Sequence, residues 1–245
     1  MMNPVTRLEK DQSFCFDCSP QVECFNACCR DLNQALSPYD VLRLKQFLKM
    51  DSSAFLKAYT WQSTGPGSGL PVVCLRFGDT DDLSCPFVMP DGCRVYPARP
   101  ASCRTYPLAR GVSRNRETGV LTEHWALIRE SHCLGFHNGR AKTIDAWIAD
   151  QCIEDYNRMN DAFLELISHK NHTRPGVLTP SESALVFTAL YDLDRFRSDL
   201  LTNRIPKSAN MDPDQLESAR KDDLELLNIA MQWVRTQLLP SSTNR

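Results

Sequence analysis

Apolar residues recur every three or four positions along the second half of the chain, while most of the first half keeps no such rhythm. Ile144, Trp147, Ile148, Cys152, Tyr156, Met159, Phe163 and Ile167 fall on one face of a helix running from about 141 to 169. Thr179-Pro180-Ser181-Glu182 then offers an N-cap hydroxyl, a proline at the first helical position and a glutamate that can reach back. This predicts a helix through Leu200. Asp212-Pro213-Asp214-Gln215 repeats that grammar before a third helix, Leu216 to Leu239. No glycine-rich phosphate loop accompanies the three, so they read as packing elements.

The first half yields shorter elements. Ser37-Pro38-Tyr39-Asp40 opens a helix whose Val41, Leu44, Phe47 and Leu48 form an apolar stripe, and 52–59 adds a second. Gly65-Pro66-Gly67-Ser68-Gly69 is a flexible break. Val73, Leu75 and Phe77 alternate, which predicts a strand over 71–77, and Pro90-Asp91-Gly92 is a turn between two short extended runs. A hairpin of this kind presents cysteines at its ends, and turns aim ligands at one point. The fold class is α+β: an irregular cysteine-rich domain with a short hairpin and helices over 1–138, followed by a mainly α-helical region over 139–245 packed on it.

Composition narrows the function. A chain of 245 residues with 42% hydrophobic and 24% charged residues is that of a soluble globular protein. A formal charge of -2 and a pI near 6.2 give no reason to expect nucleic acid or an anionic membrane as a partner. Arg7, Glu9, Lys10 and Asp11 fall where a signal peptide needs an apolar run, and no stretch reaches the length of a membrane span. A cytoplasmic location is the expectation. In that reducing setting eleven cysteines, an odd number, suit metal ligands, buried thiols or redox centres better than a disulfide framework.

Nine of the cysteines lie between Cys15 and Cys103. Cys18, Cys24, Cys28 and Cys29 form one block, Cys85, Cys93 and Cys103 a second, and Cys133 follows. Four thiolates satisfy one tetrahedral ion or one cubane cluster, so eight would fill two centres. Adjacent Cys28 and Cys29 leave the backbone in divergent directions. They therefore serve different metals, or one ligates and the other supports it. Zinc sites usually show paired C-x2-C or C-x4-C knuckles, and only Cys15-Phe-Asp-Cys18 has that spacing. The other gaps, of five, three, seven, nine and twenty-nine residues, match the irregular loops around iron-sulfur clusters, as does the step Cys85-Pro86. A radical-SAM C-x3-C-x2-C would need a cysteine where Asp31 stands.

The Cys-rich opening ending in Cys28-Cys29-Arg30, the helix at 38–45, Cys85-Pro86-Phe87, Cys93-Arg-Val-Tyr-Pro-Ala-Arg99-Pro100, Cys103-Arg104-Thr-Tyr-Pro107 and Cys133 together resemble the bacterial YkgJ-like, or CxxCxxCC, proteins. The resemblance covers roughly 14–138. It implies zinc or iron chelation, iron-sulfur oxidoreductase activity in some members, and a relation to flagellin lysine N-methylases. The expected cofactor is an iron-sulfur cluster, 4Fe-4S, with zinc as the alternative. Partners would be metal ions and an electron-transfer protein or a protein substrate. The opening departs from the family pattern in its wider spacing around Cys18 and Cys24.

Arg94, Arg99, Arg104, Arg110, Arg114 and Arg116 fall within 23 residues. Metal-bound thiolates carry excess negative charge, so Arg99 and Arg104, flanking Cys103, are expected to donate to sulfur around the centre. Arg110 to Arg116 fit a solvated basic loop equally well. Cys152, on the helix stripe, and Cys74, in the strand, read as buried structural thiols. Cys15 is the substitute for Cys18. His132 and His137 bracket Cys133 and could complete a Cys3His site, though an ordinary histidine is the plainer reading of each. Asp79, Asp81 and Asp82 read as a turn.

Overall fold

The computed structural model describes residues 5–78, 83–115, 118–205 and 213–239. In chain order its first elements are β1 (Val5–Leu8), β2 (Ser13–Cys15), β3 (Ala35–Leu36), α1 (Pro38–Leu48), α2 (Ser52–Tyr59), β4 (Thr60–Thr64) and β5 (Pro71–Leu75). Next come β6 (Val88–Met89), β7 (Gly92–Cys93), α3 (Ala101–Thr105), β8 (Leu108–Arg114), β9 (Leu121–Ile128), β10 (Ala141–Thr143) and α4 (Ile144–Asp150). The helices α5 (Glu154–Thr173), α6 (Pro180–Leu190), α7 (Leu193–Leu201), α8 (Pro213–Lys221) and α9 (Asp223–Trp233) complete the series. The class is α+β, as expected. The aspartates 79, 81 and 82, Arg116 and the cap residue Asp212 lie outside the described residues.

The chain separates into two compact units, 1–32 with 77–157 and 33–76 with 158–245. A single boundary after 138 is therefore not the division seen, and the reason lies in which apolar faces match. In the second unit α1 packs on α9, α2 on α7 and α6 on β5. In the first, Ile144, Trp147 and Ile153, expected in the later region, close over Phe14, Phe16, Leu108, Trp125 and Leu127 in one buried cluster.

That cluster is the base on which the cysteine segments rest. Alternation on β2 buries Phe14 and leaves Cys15 exposed, with Phe16 buried just beyond. Phe16 meets Tyr106, Phe136 and Trp147 edge-on, with ring centroids 5.6, 5.1 and 5.8 Å away. Leu108 on β8 lies opposite Leu127 on β9, and β1 pairs with the other edge of β9.

The helix expected over 141–169 is interrupted. β10 precedes α4, and the chain breaks at 151–153 before α5, with Cys152 at φ 50° and exposed. Arg104 explains the break: its Nη1 donates at 2.8 Å to the carbonyl of Gln151, which a continuous helix would offer to residue 155. Cys152 is accordingly not the buried thiol its spacing suggested.

In the second unit β5 lies between β3 and β4. The Ser37 N–H donates to Asp40 at 2.8 Å and the Asp40 N–H to the Ser37 hydroxyl at 3.2 Å, the capping box that starts α1. Leu42 and Tyr39 complete its buried stripe, whereas Phe47 is 42% exposed. Thr179 and Glu182 cap α6 as expected. The expected continuation to Leu200 stops at Asp192, whose carboxylate accepts from the hydroxyls of Ser52 at 2.7 Å and Ser53 at 2.8 Å. Asp222 likewise divides the last helix, accepting from the N–H groups of Leu224 and Glu225 at 2.7 and 3.1 Å. Among the described residues no helix is long and apolar enough to cross a membrane.

Candidate metal centre

The loop after Cys18 is a succession of tight turns. Carbonyls of Ser19, Val22, Cys24 and Asn26 each accept from the N–H three residues on, at 2.9 to 3.0 Å. Asn26, at φ 67°, tolerates the left-handed backbone this winding needs. Cys24, Cys28 and Cys29 are thereby held within one small loop.

Two tethers bring distant cysteines to it. Toward the β6–β7 hairpin, Asn26 Nδ2 donates to Met89 O at 3.1 Å and the Cys85 N–H to Cys29 O at 2.9 Å. Gly92, at φ +136°, allows the turn, and the Phe25 ring lies beside it. Toward 133–139, the Asp17 N–H donates to Gly135 O at 3.0 Å. A Cβ on Gly139, at φ +95°, would stand 2.6 Å from Phe16 O, so only glycine lets the chain pass there. The Leu134 N–H then reaches Cys24 Sγ at 3.1 Å.

The thiols gather in two groups that meet at Cys28 and Cys29. Burial, then Cys28, Cys24, Cys133 and Asp17, push the Cys18 thiol up to about 11. The Cys29 thiol donates to Cys28, which lowers Cys28 to about 7. Cys29 itself is raised by that bond and by burial, with Cys28, Cys85 and Cys103 adding to it. Burial also raises Cys85, against the N–H groups of Phe87 and Val88 and with Cys93 beside it. Cys93 is raised by burial as well, offset by the Val95 N–H and Arg99. One neighbourhood is thus Cys18, Cys24, Cys28 and Cys133, and the other is Cys29, Cys85, Cys93 and Cys103.

N–H groups pointing at Cys85 and Cys93 sulfurs, from residues just downstream, are the arrangement that favours thiolates over thiols. The donor set fits a thiophilic metal. Among the described residues no three His, Cys, Asp or Glu side chains are drawn in to the spacing of a ligated ion.

The arginines divide in role. Arg99, buried, lies near Cys103 and Cys93, stacks over the Tyr96 ring at 3.8 Å and donates to Tyr96 O at 2.7 Å and to Gln151 Oε1. Burial is the first cause of its lowered affinity for the proton. Arg104 does not turn to sulfur: its N–H groups go to the carbonyls of Arg99, Gln151 and Pro97, making it a clamp on the backbone that carries Cys103. Arg110 pairs with Glu123 at 2.7 Å across the β8–β9 ladder rather than facing solvent alone.

Of the remaining candidates, Cys74 is buried on β5 and Cys15 is exposed opposite Ala141. His132 is exposed and lies 3.7 Å from Glu130, and His137 ends a short 3-10 turn. Sequence reasoning missed Tyr106 and Glu130, which lie beside Cys133. Tyr106 stood inside the Cys103-Arg-Thr-Tyr-Pro run, so the signal for it was present.

No curated protein and no solved structure matches the chain. The CxxCxxCC family model, described as a putative zinc- or iron-chelating domain, matches residues 17–152, which include all eight gathered thiols and more than half of the chain. The protein is a member of the CxxCxxCC family of zinc- or iron-chelating domains.

Proposed function

We propose that the chain is an iron-sulfur protein of a reducing compartment, with two centres held by Cys18, Cys24, Cys28 and Cys133 and by Cys29, Cys85, Cys93 and Cys103. The observation that carries this reading is the meeting of two four-thiol neighbourhoods at consecutive residues, since Cys28 adjoins Cys18 while Cys29 adjoins Cys85 and Cys103. One tetrathiolate set per centre is the coordination of 2Fe-2S and 4Fe-4S clusters, which when bound supply one-electron transfer.

Three features of the protein support iron and sulfide over a bare ion. The ligands come from irregular, widely spaced loops. Cys85 precedes a proline, as cluster cysteines often do. The Arg99 guanidinium lies beside Cys93 and Cys103, where residual negative charge on the thiolates calls for a cation. Zinc remains the second reading because the N–H donors around Cys85 and Cys93 would serve a structural zinc knuckle equally well.

Anaerobic purification followed by iron, zinc and acid-labile sulfide analysis separates the two. The proposal expects a brown protein with iron and sulfide in near-equal amounts that bleaches in air. A colourless, air-stable protein with zinc and no sulfide would overturn it.

A further inference from the structure

We infer that Tyr106 is a positioning residue of the Cys18, Cys24, Cys28 and Cys133 centre, its hydroxyl donating a hydrogen bond to the sulfur of metal-bound Cys133. The inference rests on the ligand reading above and goes beyond it by assigning a donor to one centre alone.

The Tyr106 hydroxyl oxygen is buried, and among the described residues no partner stands at full hydrogen-bond geometry, although the Cys133 thiol and the Glu130 carboxyl lie within reach. Such a group is costly to leave unpaired, so it is retained where a partner arrives. Its polar neighbours are the Cys133 thiol and the Glu130 carboxyl. A neutral thiol is a weak acceptor, whereas a metal-bound thiolate is a strong one. A ligating Cys133 would thus offer the Tyr106 hydroxyl the stronger of its two acceptors.

The ring is already fixed for this. It stands edge-on to Phe16 at 5.6 Å, and both Tyr106 and Cys133 lean on the Phe14–Trp147 cluster. Its own N–H donates to Ser102 O at 3.1 Å, and the preceding carbonyl, of Thr105, accepts from Trp147 Nε1 at 3.2 Å. Glu130, the competing acceptor, lies 3.7 Å from His132. The second group of thiols has Arg99 nearby instead. Loss of the tyrosine hydroxyl should therefore weaken one centre and spare the other.

The test uses the full chain loaded anaerobically, with Tyr106→Phe keeping the ring and deleting only the oxygen. Metal release to excess chelator is followed for wild type, Tyr106→Phe, Glu130→Gln and the pair Cys133→Ser with and without Tyr106→Phe. Tyr106→Phe should release one of two metal equivalents about 10- to 100-fold faster, the penalty for losing a hydrogen-bond partner of a ligand, and leave the other unchanged. Glu130→Gln should release both at the wild-type rate, and in the Cys133→Ser background Tyr106→Phe should add nothing. Wild-type release from Tyr106→Phe, equal acceleration of both equivalents, or a Tyr106 effect that persists without Cys133 would overturn the inference while leaving the metal reading intact. A wild-type chain that takes up no metal would overturn both.

Discussion

The two units solve the problem of staying folded in opposite ways. The second is built of helices with capped ends and apolar faces, and Leu44, Phe55, Leu200 and Leu226 are each fully excluded from water. Each such side chain contributes roughly 1.5–3 kcal/mol of burial. The first has a comparable aromatic cluster beneath β8 and β9, but its cysteine loops, 17–31 and 129–139, add to it only a few apolar side chains such as Phe136 and are otherwise tied by scattered hydrogen bonds. Loops of that kind lack the buried area to offset their own ordering entropy. The comparison teaches that the second unit is held by its own apolar core, whereas the cysteine loops of the first are the segments that a bound metal would stabilise most.

The largest effect that tests this contrast is metal removal. Structural metal can contribute about 10–16 kcal/mol of folding free energy at neutral pH. Stripping the loaded protein anaerobically should collapse hydrogen-exchange protection at the β6–β7 hairpin and the Cys24–Cys29 turns, and leave α1, α6 and α9 protected. Equal loss in both units would break the comparison.

The converse substitution is Phe196→Ala in the second unit. Phe196 is 1% exposed and stands edge-on to Trp233 at 5.7 Å. Its truncation should cost about 3–5 kcal/mol by denaturant titration, with metal content unchanged. A fall in bound metal would show that the units do not hold separately.

A smaller effect is acid sensitivity of the second unit. Burial alone would raise Asp194, but the Ser52 N–H and the Lys45 ammonium outweigh it and hold the carboxyl below its usual range. Asp223 is likewise raised by burial and lowered further by Lys45, Arg197 and Gln46. A carboxyl depressed in the folded state stabilises above the unfolded value, about 3.9, and that contribution is lost as pH falls through the folded one. Thermal unfolding of the second unit should therefore be flat from neutrality to about pH 5 and fall below about pH 4. Asp194→Asn should flatten the acid limb. An unchanged limb in that variant would remove these carboxylates from the account.

Legibility in the sequence followed the range of the forces involved. The caps of α1 and α6 and the Pro90-Asp91-Gly92 turn are local, and each was readable from a few neighbouring residues; the strand expected over 71–77 is present as β5 but ends at Leu75, with Val73, Cys74 and Leu75 all buried instead of alternating. The helix breaks at 151–153 and at Asp192 were not, because Arg104 takes the Gln151 carbonyl from 47 residues away and Ser52 engages Asp192 across 140. Membership of 33–76 in the helical unit was hidden for the same reason. The break at Asp222 was readable in principle, since Asp222-Asp223-Leu224-Glu225 carries an N-cap signal. The cysteines themselves were plain. Their grouping was concealed by interleaving, and only the divergence of Cys28 and Cys29 hinted at it.

Metal stoichiometry in paired cysteine variants tests the central claim most directly. If two centres divide at the Cys28–Cys29 peptide, Cys28→Ser and Cys29→Ser should each retain half of the wild-type metal. Cys28→Ser with Cys133→Ser should still retain half, because both changes fall on one centre. Cys28→Ser with Cys103→Ser should retain none. Equal retention by the two double variants would contradict the division of ligands on which the account is built.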